Sequence, residues 1–192
     1  MNQYLKYLFS VLVFCCASLA SRSEASDDSG RCASTVMPQP VQEYIQRNYG
    51  AWKIQDEARL NPRAYERWKA EQPLACPGFA SGVFGSDGKL LYAALLVPAE
   101  SKMRGHKLII LNAAANGQGY VGKVVDESTH GNGGNIFIRA AKIDDFMSHQ
   151  DREKFHLRGK DGLLFFDAAD DEYEVDFYFL SNGRYQREPI DY

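Results

Sequence analysis

From Phe79 onward the chain is divided into short apolar runs separated by Gly, Asn and Asp, and this pattern constrains the fold most strongly. Apolar runs of this length bounded by turn residues predict β-strands. The predicted strands are Ala80–Phe84, Leu90–Val97, Lys107–Ala113, Tyr120–Asp126, Ile136–Ala140, Leu163–Asp167, Glu172–Leu180 and Tyr185–Glu188. We therefore expect a sheet of about seven or eight strands.

The end of the chain predicts antiparallel pairing. Between Glu174 and Phe179, polar and apolar side chains alternate, which is the period of a half-buried strand in an antiparallel sheet. Asn182 and Gly183 follow this segment, and Asn-Gly favours a type I′ turn because both central residues need positive φ. A terminal β-hairpin is expected here.

Two helices are predicted before the first strand. Residues 38–52 carry apolar side chains at helical spacing between two prolines and Gly50. In residues 61–72, Asn61 can cap a helix that begins at Pro62. Residues 144–156 can form one further short helix. This order predicts an α+β fold, with two N-terminal helices packed on a mainly antiparallel sheet in a single domain spanning residues 36–192.

The first 20 residues have the pattern of a secretory signal peptide. Lys6 precedes an apolar stretch from Leu8 to Ala17, and Ser18-Leu19-Ala20 offers a cleavage site, with Ala25 as a second possible one. A membrane anchor is the first rival, but the apolar stretch is short for a bilayer of about 30 Å. A lipoprotein signal is the second, and bulky Phe14 disfavours it. We expect export to the periplasm or beyond, and a flexible segment over residues 21–35.

Cleavage of the signal peptide would leave Cys32 and Cys76 as the remaining cysteines. In an oxidising compartment two cysteines suggest one disulfide bond. The alternative, two buried free thiols, stays open because a count of cysteines proves no pairing.

The charge balance bears on the choice of partner. The chain has a formal net charge of −3. Mild acidity argues against nucleic acid and anionic membrane as binding partners. The apolar runs after the signal peptide are also too short to cross a membrane, so no integral membrane segment is expected in the exported protein.

Two segments resemble a known family. Residues 76–96, CPGFASGVFGSDGKLLYAALL, are similar to the single FG-GAP-like motif of small exported bacterial proteins. Residues 160–186, KDGLLFFDAADDEYEVDFYFLSNGRYQ, are similar to the aromatic hairpin at the end of those proteins. The resemblance implies a compact periplasmic β domain. Many of these proteins have no assigned activity, and some similar exported domains are immunity proteins or inhibitors of enzymes that attack the cell wall.

The first segment departs from the family at the residues that would bind a cation. Val83, Gly85 and Leu91 stand where the motif has Asp, and Asp87 is the one acidic residue kept. Ca²⁺ prefers six to eight oxygen ligands, so one carboxylate makes a poor site. Ser86-Asp87-Gly88 is therefore interpreted as a turn between two strands, and we expect no metal and no cofactor.

No catalytic pattern is evident in the sequence. The four histidines are His106, His130, His149 and His156, and no pair has the spacing of a zinc site on one element. There is no G-x-S-x-G motif, and consecutive acidic pairs such as Asp144-Asp145 point in different directions. A site assembled from distant residues stays open.

Two loops are the candidate binding surface. The glycine-rich loop His130–Asn135, predicted as a hairpin tip, contains His130 and Asn132, and the Asn-Gly hairpin Ser181–Tyr185 carries Arg184 and Tyr185. We expect these tips, joined by Tyr120, to contact a protein partner, with Arg184 and Tyr185 as the strongest contacts if the tip is exposed. The alternative is that Tyr185 is a core residue of the final strand. The function expected is an exported, non-enzymatic binding protein, in particular an immunity protein or inhibitor of an enzyme that attacks the cell envelope. The alternative is a cell-envelope hydrolase.

The degenerate cation loop gives a first prediction. Addition of 1 mM Ca²⁺ is expected to leave the melting temperature nearly unchanged. A site with a Kd of about 10 µM would instead add about 2.7 kcal/mol at that concentration, which raises the melting temperature by several degrees. Differential scanning calorimetry checks this. A rise that disappears in the Asp87→Ala variant would show that the loop binds calcium.

Overall fold

The computed structural model describes residues 32, 37–71, 75–100, 102–115, 117–157, 159–169 and 173–191. The predicted signal peptide and all of the predicted flexible segment except Cys32 lie outside these residues. The described residues form one α+β domain with four α-helices and nine strands in two antiparallel sheets.

The first sheet has five strands. They are β1 Trp52–Ile54, β2 Phe79–Gly82, β3 Leu91–Pro98, β4 His106–Ala113 and β5 Tyr120–Ser128. Both β1 and β2 pair with β3, β1 with its second half and β2 with its first half, and β4 and β5 follow on the other side. β5 is therefore the outermost strand on that side.

The second sheet has four strands that pair in chain order. They are β6 Ile136–Lys142, β7 Asp161–Asp167, β8 Glu174–Ser181 and β9 Arg184–Pro189. Asn182 and Gly183, with φ of 50° and 77°, join β8 to β9 and confirm the predicted hairpin. The turn between β2 and β3 contains Gly88 at φ 73°, so the interpretation of this segment as a hairpin connection is also confirmed.

The two sheets face each other across the central core. Alternate residues of β3 and β4 point into this core and meet side chains of the second sheet. The buried members are Phe84, Leu91, Ala93, Leu95, Val97, Leu108, Ile110, Ile136, Ile138, Leu163, Phe165 and Tyr178.

Helices cover the outer face of each sheet. Helix α1 (Gln39–Asn48) buries Val41 and Ile45 against the outward-facing residues of β3 and β4. Helix α2 (Pro62–Glu71) buries Trp68 against the outer face of the second sheet, where α3 (Ile143–Phe146) and the segment after α4 (His149–Lys154) also pack. The domain therefore has four layers: helix, sheet, sheet and helices.

The helix boundaries follow from local chemistry. The Asn61 side chain accepts a hydrogen bond of 2.7 Å from the Ala64 amide, which confirms the predicted cap of α2. The Ser148 side chain accepts a hydrogen bond from the Asp151 amide and begins α4. The one helix predicted over residues 144–156 is divided into α3 and α4 at this cap.

The predicted arrangement of layers needs correction. The prediction of two N-terminal helices on one sheet of seven or eight strands is not matched, because the strands form two sheets and α1 and α2 cover different ones. The alternation pattern places each strand but carries no information on which sheet it joins. The short strand β1 was also missed.

The Cys32–Cys76 disulfide is present and buried in the cluster beneath α1. It ties the start of the described chain to the residues that precede β2. Within the described part of the chain, no helix has the length and apolar character needed to cross a membrane.

Close packing over Gly162 gives a second prediction. A Cβ at this position would lie 2.2 Å from the Phe177 ring, so the Gly162→Ala variant forces that buried ring to move. Overpacking of this kind is expected to cost about 1–3 kcal/mol of unfolding free energy. Chemical denaturation measures the cost. The control Gly50→Ala, whose Cβ would meet its nearest neighbour at 3.4 Å, is expected to change stability little, and an equal loss in both variants would contradict this account.

Candidate functional site

A β-bulge in β5 directs a carboxylate into the space between the sheets. Val124 lies opposite Ile109 and Asp126 lies opposite Leu108, so Val125 is an extra residue in the ladder. Regular alternation after Lys123 would place Asp126 on the outer face. The bulge reverses the alternation, and Asp126 turns toward the second sheet.

Asp126 is held by partners from both sheets. His106 Nε2 lies 3.0 Å from Asp126 Oδ2, and the Tyr178 hydroxyl donates to the same oxygen at 2.9 Å. The side chains of His106 and Asp126 are 14% and 23% exposed. The three residues therefore form a largely buried polar cluster, the His106 cluster, which fixes the carboxylate in one orientation.

An ion pair lies beside this cluster. Arg187 Nη2 is 2.7 Å from Asp176 Oδ2, and Asp176 is largely buried while Arg187 is about half exposed. The hydrogen bond to Asp176 raises the pKa of Arg187. A polar zone thus runs between the outermost strands β5 and β9, where the sandwich is open.

The electrostatics of the His106 cluster keep Asp126 ionised. The hydrogen bond from His106 lowers the pKa of Asp126, and the bond from Tyr178 acts in the same direction. Burial raises the pKa of the Tyr178 hydroxyl, and the neighbouring Asp126 charge raises it further. The tyrosine therefore stays a hydrogen-bond donor and the aspartate stays an acceptor.

A cavity of about 280 Å³ adjoins the His106 cluster at one end of the sandwich. Its wall combines the His106 ring with the predicted binding residues His130 and Asn132. The residues lining it are Gly105, His106, Ser128, His130, Gly131, Asn132, Gly133, Ile136 and Asp167. The structure thus brings two of the five predicted binding residues, His130 and Asn132, next to a polar cluster that the sequence did not indicate.

Residues 129–135, called the recognition loop below, join β5 of the first sheet to β6 of the second, so the predicted hairpin tip is wrong here. The loop is fixed at its base by residues between β1 and α2. The Gln55 side chain donates to the carbonyls of Gly133 and Ile136 at 2.5 and 2.9 Å. The Asn61 amide donates to the carbonyl of Gly134 at 2.8 Å, and the Asn61 side chain donates to Asn135 Oδ1 at 2.6 Å. These bonds order the loop before any partner binds.

The tip of the recognition loop is exposed. Asn132 accepts a hydrogen bond from the Gly134 amide, and His130 has its side chain in solvent. The neighbouring β3–β4 connection contributes Met103, which is 42% exposed, and is joined to the loop by the Gly105 amide bonding to the carbonyl of Gly131. The end of the sandwich therefore presents polar and apolar groups together.

The other predicted binding residues lie at the opposite end of the domain. Ser128 ends β5 beside the recognition loop, whereas Tyr120 begins β5, eight residues away along the strand. Lys123 Nζ lies 5.8 Å from the centre of the Tyr185 ring, which places the β8–β9 hairpin near the Tyr120 end. The prediction of one surface containing both tips is therefore corrected: the structure separates them by the length of the strands.

Tyr185 is also not an exposed tip residue. Arg184 is exposed as predicted, but Tyr185 is half-buried against the central core. This burial raises the pKa of Tyr185 to about 12. Tyr120 similarly packs beneath α1 with Tyr92. The alternation of side chains along β9 and β5 directs both tyrosines against the domain. The prediction treated the hairpin as an isolated tip and did not use this alternation.

Asp87 is used within its own turn. It accepts a hydrogen bond from the Lys89 amide at 3.2 Å and pairs with Lys89 Nζ at 3.3 Å. No group of three His, Cys, Asp or Glu side chains suited to a metal ion occurs in the part of the chain that the structure describes. The calcium experiment remains the test of this loop.

The comparisons with known proteins give no relative. No family model, no curated protein and no solved structure matches the chain. The resemblance to FG-GAP-like exported proteins therefore stays a prediction.

The buried carboxylate gives a third prediction. Because the pKa of Asp126 is lower in the folded protein, its stabilising effect is present above the ordinary value of about 4 and is lost as the pH falls through the lowered pKa. Asp126→Asn is expected to lower the unfolding free energy at neutral pH by about 1–2 kcal/mol. The decrease in unfolding free energy between about pH 5 and pH 2 is also expected to be smaller in this variant than in the wild type.

Urea denaturation across this pH range makes the measurement. Asp191→Asn, which removes an exposed carboxylate, serves as the control and is expected to keep the wild-type profile. An unchanged pH profile in Asp126→Asn would contradict the assignment of Asp126 as a stabilising anion.

Proposed function

We propose that the protein is an exported binding protein that recognises a protein partner with its recognition loop and the adjoining cavity. The observation that carries this proposal is the ordered base of an exposed loop, held by Gln55 and Asn61. A loop that is already ordered loses little conformational entropy on binding, which favours affinity.

The surface around the loop has the composition of a protein interface. Met103 in the β3–β4 connection supplies a flexible apolar contact, and His130 and Asn132 in the recognition loop supply hydrogen-bonding groups. The cavity next to them is large enough for one side chain of a partner, but it is smaller than the sites that usually hold drug-sized ligands. We therefore favour a protein over a small molecule as the partner.

An inhibitor or immunity protein is the particular form that we propose. Such a protein must place a few ordered groups in or over the cleft of an enzyme. The recognition loop meets this need because it connects the two sheets at one end of the sandwich, between β5 and β6. The buried disulfide suits an exported protein and supports the periplasmic setting of this proposal.

A cell-envelope hydrolase is the second candidate, and the His106 cluster favours it. A histidine oriented by a carboxylate is the usual general base for a hydroxyl nucleophile. Ser128 lies directly opposite His106 in the β4–β5 ladder and lines the same cavity. Its hydroxyl, however, donates to the carbonyl of His130 and accepts from the His130 amide, so it must leave both bonds to act as a nucleophile. We rank this candidate below binding for that reason.

The fourth prediction tests the recognition loop. A partner captured from periplasmic extract is purified, and its affinity is measured by calorimetry. The double variant Met103→Ala, His130→Ala is expected to weaken binding by about 2 kcal/mol or more, as truncation of hot-spot residues does. Both side chains are exposed, so the melting temperature should change little.

Arg184→Ala is the matched control because Arg184 is exposed at the other end of the sandwich. We expect it to change the affinity by less than about 0.5 kcal/mol. Loss of binding in Arg184→Ala alone would move the binding surface to the β8–β9 hairpin. Turnover of cell-wall substrate by the pure protein, abolished in Ser128→Ala, would favour the hydrolase.

A further inference from the structure

Gln55 lies between the disulfide and the recognition loop. The residue is fully buried, and its carbonyl oxygen is 3.4 Å from Cys32 Sγ and 3.7 Å from Cys76 Sγ. Its side chain reaches in the other direction and donates to Gly133 and Ile136 at the base of the loop. One residue therefore contacts both features.

The backbone of Gln55 is fixed from a third side. Its amide donates to the carbonyl of Leu95 at 2.9 Å, and Gly78 packs so closely that a Cβ there would lie 2.3 Å from the Gln55 oxygen. Gly78 follows Cys76 by two residues. A shift of either sulfur is therefore transmitted to Gln55 directly and through this segment.

The side chain of Gln55 uses both hydrogens of its amide. Each goes to a carbonyl of the segment that ends the recognition loop, and Oε1 has no hydrogen-bond partner among the residues described. The Gln55 side-chain amide is therefore oriented to donate to both carbonyls, even though its own buried oxygen is left without a partner. Gln55 is thus a positioning residue for the loop.

We propose that the Cys32–Cys76 disulfide controls the recognition loop through Gln55, so that the protein becomes able to bind its partner only after oxidation. This inference rests on the proposed function and adds its regulation. In the oxidising step the two thiols lose two electrons and two protons to a small disulfide such as oxidised glutathione, which becomes two thiols. The new sulfur–sulfur bond holds both sulfurs against the Gln55 carbonyl.

Reduction reverses this arrangement. Without the bond the two sulfurs must separate to nonbonded contact, in a site where both are buried beside Gln55. The adjoining Gln55 backbone moves, and the two side-chain bonds to the loop lengthen or break. A loop without these bonds must be ordered when the partner binds, which lowers the affinity.

The fifth prediction is measured first without any partner. Amide hydrogen exchange is followed in the oxidised protein and after reduction with dithiothreitol, which is itself oxidised to a cyclic disulfide. The amides of Asn61, Asn135 and Ala168 report on the loop because all three bond to residues within it. Reduction is expected to make them exchange about tenfold faster, the change that loss of one or two hydrogen bonds produces.

The amides of β9 are the internal control, because this strand lies at the far side of the second sheet. We expect them to keep their exchange rates. Equal acceleration in β9 would overturn the inference, since the disulfide would then support the whole domain and not the loop. Unchanged rates at all sites would overturn it as well.

A variant with the disulfide intact isolates the role of Gln55. Gln55→Leu removes both donors and is expected to accelerate exchange at the amides of Asn61, Asn135 and Ala168 while the amides of β9 keep their exchange rates. Gln55→Leu with unchanged loop amides would overturn the inference. If this variant unfolds, Gln55→Met, which has a similar length and no donor, takes its place.

The affinity for the captured partner is measured next, so that a failure of this inference can be distinguished from a failure of the proposed function. Reduction is expected to weaken binding at least tenfold when the loop loosens. A loosened loop with unchanged affinity would overturn the regulation and leave the proposed function standing. Insensitivity of binding to Met103→Ala and His130→Ala would defeat the proposed function, although the exchange result could still hold.

Discussion

The burial of β3 and β4 on both faces is the constraint on which the structure depends. Residues 91–97 of β3 and 108–111 of β4 alternate between the central core and the cluster beneath α1, and all of their side chains are apolar or aromatic. A strand that is apolar on both faces needs cover on both faces. The second sheet supplies the inner cover and helix α1 the outer one. The second sheet has its own outer apolar face, and this face is covered by α2, α3 and the segment after α4. Four layers are therefore the result of apolar strands that cannot face water.

The candidate site follows from the limits of the same core. Apolar packing between the sheets gives way to polar groups at the open side between β5 and β9. A carboxylate there needs partners because an unpaired buried charge is costly. The bulge at Val125 aims Asp126 inward, and His106 and Tyr178 satisfy it from neighbouring strands. His106 of this cluster also lines the cavity beside the recognition loop, so the cluster fixes one part of the cavity wall.

Local features could be predicted from the sequence, and features that depend on distant residues could not. Asn182-Gly183, the Asn61 cap and the strands from β2 to β9 all depend on a few adjacent residues, and each was found within a few positions. Pairing of the two sheets depends on contacts between distant segments, so one sheet was expected where two exist. The His106 cluster joins residues up to 72 positions apart and depends on a bulge, which alternation alone conceals. Tyr185 was misjudged because its position in a hairpin suggested exposure, whereas its position in β9 directs it into the core.

The two ends of the sandwich differ in how their loops are supported, and this difference decides which end suits recognition. The β8–β9 hairpin is a two-residue turn whose conformation is set by Asn182 and Gly183 themselves. Such a turn is short, and half of its flanking side chains, Tyr185 among them, are committed to the core. The recognition loop is longer and has few apolar residues to hold it, so its order comes from bonds to Gln55 and Asn61 in another part of the chain. A loop ordered mainly from outside leaves the side chains at its tip, His130 and Asn132, exposed to a partner. The same arrangement makes its conformation depend on whatever holds Gln55 in place, and the nearest covalent constraint on Gln55 is the Cys32–Cys76 bond.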